Sequence, residues 1–151
     1  MQLSFRRTDS SDKDFAGLVV QLDQDLLERY QEKQSFFDQF NSVSMIKNVI
    51  VAYDGEGNAL GCGAFKAWRE GACEIKRMYV VPSFRGKKIG MKILSQLEQW
   101  AKEEGFQRCV LETGLYQPEA IKVYADSGYH RIPNYDQYAD SELSLCMEKS
   151  L

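Results

Sequence analysis

The chain has 151 residues, of which 44% are hydrophobic and 27% charged, and its formal net charge is −3. That balance excludes a disordered polymer, and the length suits one domain, residues 1–151, that buries enough surface to need no disulfide or metal staple. A mildly acidic total argues against a nucleic-acid partner or an anionic membrane surface, and no apolar run approaches the ~18 residues of a membrane-spanning helix.

Leu3 to Thr8 alternates apolar and polar residues, which predicts a short strand. Asp9, Ser10, Ser11 and Asp12 supply side-chain oxygens to cap a following helix. Phe15, Leu18, Leu22, Leu26 and Tyr30, then Phe36, Phe37 and Phe40, recur at three- and four-residue spacing and predict two helices before residue 41. Three strands follow at residues 48–53 (NVIVAY), 59–68 (ALGCGAFKAW) and 72–81 (ACEIKRMYVV), joined by glycine-containing turns as an antiparallel meander. Gly61 and Gly63 mark a bulge or a close backbone approach in the middle one.

After Pro82 the period changes. Ile89, Ile93, Leu94, Leu97, Trp100 and Ala101 share one helical face, and Gly105 closes the helix. Arg108 to Thr113 predicts a strand, and Pro118 opens a helix that Gly128 ends. Two short strands are expected at 129–132 and 143–148. The fold class is therefore α/β (α+β), built on one sheet.

The four cysteines, Cys62, Cys73, Cys109 and Cys146, form no CxxC pair. The N-terminal stretch MQLSFRRTDSSDKDF lacks the apolar core of a signal peptide. Reduced thiols in a cytoplasmic protein are the expectation. His130 is the one histidine, and nothing in the pattern supports a metal site.

The segment richest in chemistry is EIKRMYVVPSFRGKKIG, residues 74–90. A strand runs into a turn carrying Arg85, Gly86, Lys87, Lys88 and Gly90, and an amphipathic helix begins there. Unpaired N–H groups and the helix dipole make a helix start an anion site, and glycines admit a ligand close to the main chain. Three added cations complete a cradle suited to a pyrophosphate.

RGKKIG after a strand ending MYVV resembles the acetyl-coenzyme-A signature of the GNAT N-acetyltransferase superfamily: Arg or Gln, two residues, Gly, one residue, then Gly or Ala. Arg85 and Gly90 match, and Lys88 stands where the middle glycine is usual. LETGLYQPEAIKVYADSGY, residues 111–129, is similar to the family's second half, and LGCGAFK, residues 60–66, to its central strand. The resemblance covers about residues 50–130. It implies a central mixed, mostly antiparallel sheet with splayed middle strands, helices on both faces, and acetyl-CoA in the opening as co-substrate.

It further implies that the main chain of Met78, Tyr79 and Val80 faces the pantetheine arm. The amides of Arg85, Gly86, Lys87, Lys88, Ile89 and Gly90 would hold the pyrophosphate, and Gln117 would contact the cofactor arm. The implied reaction is attack of a primary amine, on a small molecule or a peptide, upon the thioester. The resemblance leaves room for a homodimer.

An alkyl ammonium of pKa ~10.4 is only about 0.04% neutral at pH 7, a penalty of roughly 4–5 kcal/mol, so a base, or a site that lowers the amine's pKa, is needed. Glu74 and Glu112 are the two candidates, each near a strand end; the resemblance does not choose between them, and the residues put Glu74 slightly ahead. Tyr124 matches the family's proton donor for the departing thiolate. Acids at Asp23, Asp25, Glu28, Glu32 and Asp38 would either attract a cationic amine or form a solvated helix face. Tyr135, Asp136, Tyr138 and Asp140 would either line an acceptor pocket or cover the sheet. The competing readings are a catalytically silent CoA-binding module of the same fold and an unrelated phosphate-binding turn.

Overall fold

The computed structural model describes residues 2–30 and 45–151. In chain order the elements are β1 (Ser4–Thr8), α1 (Lys13–Tyr30), β2 (Asn48–Tyr53), β3 (Ala59–Arg69), β4 (Ala72–Val80), α2 (Ile89–Glu103), β5 (Arg108–Gly114), α3 (Pro118–Asp126), β6 (His130–Ile132) and β7 (Ser144–Ser150). Asp12 caps α1 as its position suggests, accepting the N–H groups of Asp14 at 2.9 Å and Phe15 at 3.0 Å. The second helix expected from Phe36, Phe37 and Phe40 lies outside the described residues.

The strands form one mixed sheet in the order β1-β2-β3-β4-β5-β7-β6. Every neighbouring pair is antiparallel except β4 and β5. Alternation splits the side chains between two cores. Ile50, Cys73, Ile75, Cys109 and Leu111 pack with α2 and α3. Val49, Val51, Cys62 and Tyr79 pack with Phe15, Leu18 and Leu22 of α1 on the opposite face. Helices therefore cover both faces. Gly63 shows why its position carries no side chain: a Cβ there would strike Met78 Sδ and Leu97 of α2.

Two features of β4 open the sheet. Its parallel register with β5 runs only from Ala72↔Arg108 to Ile75↔Leu111. Beyond it, β5 stays paired with β7 as far as Gly114↔Ser144, and β4 with β3 as far as Val80↔Gly61. The second feature is a bulge. Cys62 pairs with Tyr79 and Ala64 with Lys76, so Arg77 and Met78 together oppose Gly63. Arg77 sits in the left-handed region, with φ 58°. Such a bulge bends its strand and increases twist, and here it coincides with the point where β4 leaves β5.

Candidate active site

The turn before α2 is braced by its own arginine. Arg85 Nε donates to the carbonyl of Val80 at 2.9 Å, and the guanidinium lies over the Tyr79 ring. Gly86 and Lys88 both have positive φ, 80° and 64°. The place where a glycine is usual in the family thus has the left-handed geometry that glycine favours, and Lys88 adopts it at a cost of about 1–2 kcal/mol. Lys88 is the N-cap of α2, its carbonyl accepting Lys92 N–H at 3.1 Å. The N–H groups of Ile89, Gly90 and Met91 consequently have no acceptor within the helix. A Cβ on Gly90 would make only ordinary contacts, with Val80 at 3.7 Å and Val123 at 3.9 Å.

Backbone alternation along β4 settles which groups face the opening. Val81 N–H donates to Leu60 on the β3 side at 2.9 Å. Tyr79, two residues earlier, presents its main chain to β3 as well, whereas Met78 and Val80 present theirs to the gap beside β5. Arg85 already occupies the Val80 carbonyl.

Between β4 and β5 lies an open cleft of about 670 Å³, counting its solvent-filled mouth, and Glu74, Lys76, Arg77, Met78, Glu112, Gln117, Tyr124 and Tyr138 are among its walls. Because Cys73, Ile75, Cys109 and Leu111 point to the α2–α3 face, Glu74, Lys76 and Glu112 point to the α1 face. Tyr124 belongs to the α2–α3 side. The two candidate bases and the candidate acid thus approach one gap from opposite faces.

Glu74 is buried, which the strand pattern alone does not disclose. Its Oε2 accepts the Tyr135 hydroxyl at 2.7 Å, and Lys76 Nζ stands 3.6 Å from Oε1. Glu112 has a buried Oε2 with no partner among the described residues. Burial, with a smaller push from the charge of Glu74, raises its carboxyl from 4.5 to about 7, against the pull of the neighbouring Ser144 hydroxyl and of Lys76. Tyr124 is buried edge-on to Tyr129, with centroids 6.0 Å apart. Burial first, and then the charge of Glu112, pushes its phenol above the ordinary value.

Gln117 has one end committed: its Oε1 accepts Gly114 N–H at 3.2 Å, tightening the turn into α3. The same turn is clamped to α1. The Tyr30 and Tyr116 rings stack at 5.0 Å, and Tyr30 Oη accepts Tyr116 N–H at 3.2 Å. Arg29 donates to the Tyr116 carbonyl at 3.1 Å and pairs with Glu119.

Of the acids considered for the acceptor, Asp23 pairs with Arg77 at 2.8 Å and Asp25 with Arg29 at 3.3 Å. Glu28 is exposed, and Glu32 and Asp38 lie outside the described residues. In the late loop Tyr138 lines the cleft and Tyr135 stands behind Glu74. Asp136 turns away to Trp68 at 2.7 Å and Arg69 at 2.6 Å, and Asp140 is exposed. His130 is exposed at the start of β6. All four cysteines are buried free thiols. Sequence reasoning did not single out Lys76 or Arg77. Lys76 carried a signal, since it stands two residues from Glu74 on a strand and so shares its face; the bulge that redirects Arg77 carried none.

Comparison with known proteins agrees with the fold and gives the family. The family model described as "Acetyltransferase (GNAT) family" matches residues 14–129. An IAA acetyltransferase of Azospirillum brasilense is 32% identical over 135 residues, 89% of this chain and 88% of that protein. A crystal structure provisionally described as an acyl-CoA N-acyltransferase, from Klebsiella pneumoniae, is 30% identical with a TM-score of 0.84, covering 99% of this chain and 98% of that one. PaiA N-acetyltransferase from Thermoplasma acidophilum, solved in complex with coenzyme A, covers 100% of both chains at a TM-score of 0.71 and 18% identity, a likeness of fold. The chain belongs to the acetyltransferase (GNAT) family, and it is an acyltransferase enzyme of the N-acetyltransferase kind.

Proposed function

We propose that the protein transfers the acetyl group of acetyl-CoA directly to a primary amine of a small molecule or peptide, with both substrates held together in the cleft. The observation that carries this reading is the gap between β4 and β5. Titratable carboxyls border it on the α1 side and a phenol on the α2–α3 side, next to a helix start with unpaired N–H groups. Acetyl-CoA supplies the activated acyl group as a thioester. The cradle fits its pyrophosphate: three helical N–H groups lack acceptors, and Gly90 adds no side chain.

In this reading the amides of residues 85–90 and the side chains of Lys87 and Lys88 hold the pyrophosphate. Arg85 braces the turn through Val80. Met78 and Val80 offer their N–H groups to the gap, where either can bond the arm or the acetyl oxygen. Gln117 uses its amide nitrogen toward the arm, since its oxygen is engaged by Gly114.

Glu112 takes the amine proton. A carboxyl raised to about 7 is half ionised near neutral pH, where a general base works best. Glu74 supplies the neighbouring charge and stands in ion-pair range of Lys76. As the amine nitrogen bonds to the acyl carbon and the carbon–sulfur bond breaks, Tyr124 gives its hydroxyl proton to the thiolate. Its raised pKa keeps that proton in place until then. Buried free thiols accord with work in a reducing cytoplasm.

The test is thiol release from acetyl-CoA by the purified protein across polyamines, amino acids, aminoglycosides and peptide N-termini. Release dependent on at least one amine class is expected. Tight binding of acetyl-CoA with no release from any amine would establish the silent binding module instead.

A further inference from the structure

Lys76 is an unusual residue for a cleft wall. Its side chain is only 12% exposed, and its nearest carboxylate oxygen, on Glu74, stands 3.6 Å away, beyond hydrogen-bond length. No hydrogen bond to its ammonium is made among the described residues. The ammonium of a largely enclosed, ion-paired cation thus keeps its N–H donors for water or a ligand in the cleft to accept. Glu74 does not fully answer that demand, because its other oxygen is engaged by the Tyr135 hydroxyl at 2.7 Å.

The surroundings point the same way. The Arg77 side chain beside it is 11% exposed, while its partner Asp23 is 45% exposed. The cations lie deep and the balancing acid lies at the rim. Asp23 and Asp25, the acids best placed on α1 to attract a cationic amine, are tied up by Arg77 and Arg29. A substrate carrying only positive charge would bring a second cation toward Lys76 and supply no anion to it.

Resting on the acetyl-transfer reading above, we infer that the acceptor is a zwitterion: a small amine that also bears an oxyanion, a carboxylate or a phosphonate, which Lys76 holds. Glu74 lies within one contact of Lys76, and both share the α1-side wall with Glu112. The amine and the oxyanion are therefore only a few bonds apart, as in an amino acid. Lys76 is a specificity residue, acting on binding of the acceptor rather than on the proton transfers.

The experiment uses matched pairs: amino acids and aminoalkylphosphonates, each against the amine lacking the acid group, by thiol release. The assay pH is about 9, roughly two units above the Glu112 carboxyl, so that a changed charge at residue 76 does not act through that group. The acid-bearing member should exceed its partner in kcat/KM at least ~10-fold, the usual scale of one charge-assisted contact. Lys76→Met should bring the ratio to within about 3-fold, chiefly through KM of the zwitterion, and Lys76→Arg should restore most of it. The phosphonate and carboxylate arms distinguish the two anion sources. Turnover of simple amines as fast as their acid-bearing partners overturns the inference and leaves acetyl transfer standing, as does a Lys76→Met ratio equal to the parent's. Absence of turnover with every amine overturns both. The wild-type ratio tests the zwitterion without any variant, and Lys76→Gln, closer in polarity, tests the assignment to Lys76 if Lys76→Met does not fold.

Discussion

Glu112 combines two properties that oppose each other. Its carboxyl is raised from 4.5 to about 7 by burial, so between those pH values the folded protein binds a proton that the unfolded chain has already lost. Stability from this group is therefore greatest below about pH 4.5 and declines as pH rises through 7, by at most ~3 kcal/mol. Glu112→Gln removes that decline. The variant should melt higher than the parent at pH 8 by calorimetry, with the difference shrinking at pH 5, while kcat falls by about 10²–10⁴ and its acid limb near pH 7 vanishes. A parent whose activity shows no acid limb between pH 6 and 8 would move the base role to Glu74. Tyr124 is the companion case. Phe fills nearly the same space in its buried site, so Tyr124→Phe should fold and bind acetyl-CoA within a few-fold of the parent. Turnover should drop by about 10²–10⁴ if the hydroxyl is the proton donor. Full turnover would make Tyr124 a packing residue against Tyr129.

At the scale of elements, the start of α2 shows how local backbone chemistry builds a binding surface. Two positive-φ residues, Gly86 and Lys88, turn the chain so that the first N–H groups of the helix end unpaired. Gly90 has room for a Cβ, which makes Gly90→Asp a clean probe: the fold accommodates the carbon while the carboxylate repels phosphate. Acetyl-CoA affinity by calorimetry should weaken at least ~10-fold with melting temperature nearly unchanged. Equal affinity in a folded variant would place the pyrophosphate elsewhere. The turn into α3 is held differently, by Gln117 within the loop and by Arg29 and Tyr30 from α1. Gly114 lies at that junction, and a Cβ on it would overlap the Tyr30 hydroxyl.

At the scale of the whole molecule, the decisive event is that β4 and β5 part after four paired residues while each remains bonded to its outer neighbour. The two cysteines in the paired stretch, Cys73 and Cys109, place their sulfurs 3.5 Å apart yet remain thiols, and burial shields all four cysteines. Four titratable thiols are therefore expected in denaturant without reductant; a count of two or none would show disulfides and an oxidising home. Strand and helix periods, the capping Asp12, the helix-starting Pro118 and the RGKKIG turn were all legible in the sequence, because each depends on neighbours within a few residues. So was the choice of Glu74, Glu112 and Tyr124 as the residues worth weighing. The sequence could not divide the work between the two glutamates, because their difference lies in burial and in neighbours 32 to 61 residues away: Tyr135 against Glu74, Ser144 and Lys76 beside Glu112. It left open whether the acids of α1 attract an amine, and only the tertiary structure pairs two of them, Asp23 with Arg77 and Asp25 with Arg29. Nor could it disclose Lys76 as a largely enclosed cation that makes no hydrogen bond among the described residues. Periodicity assigns a side chain to a face, but its desolvation and unmet hydrogen bonds are set by what the rest of the chain brings against that face.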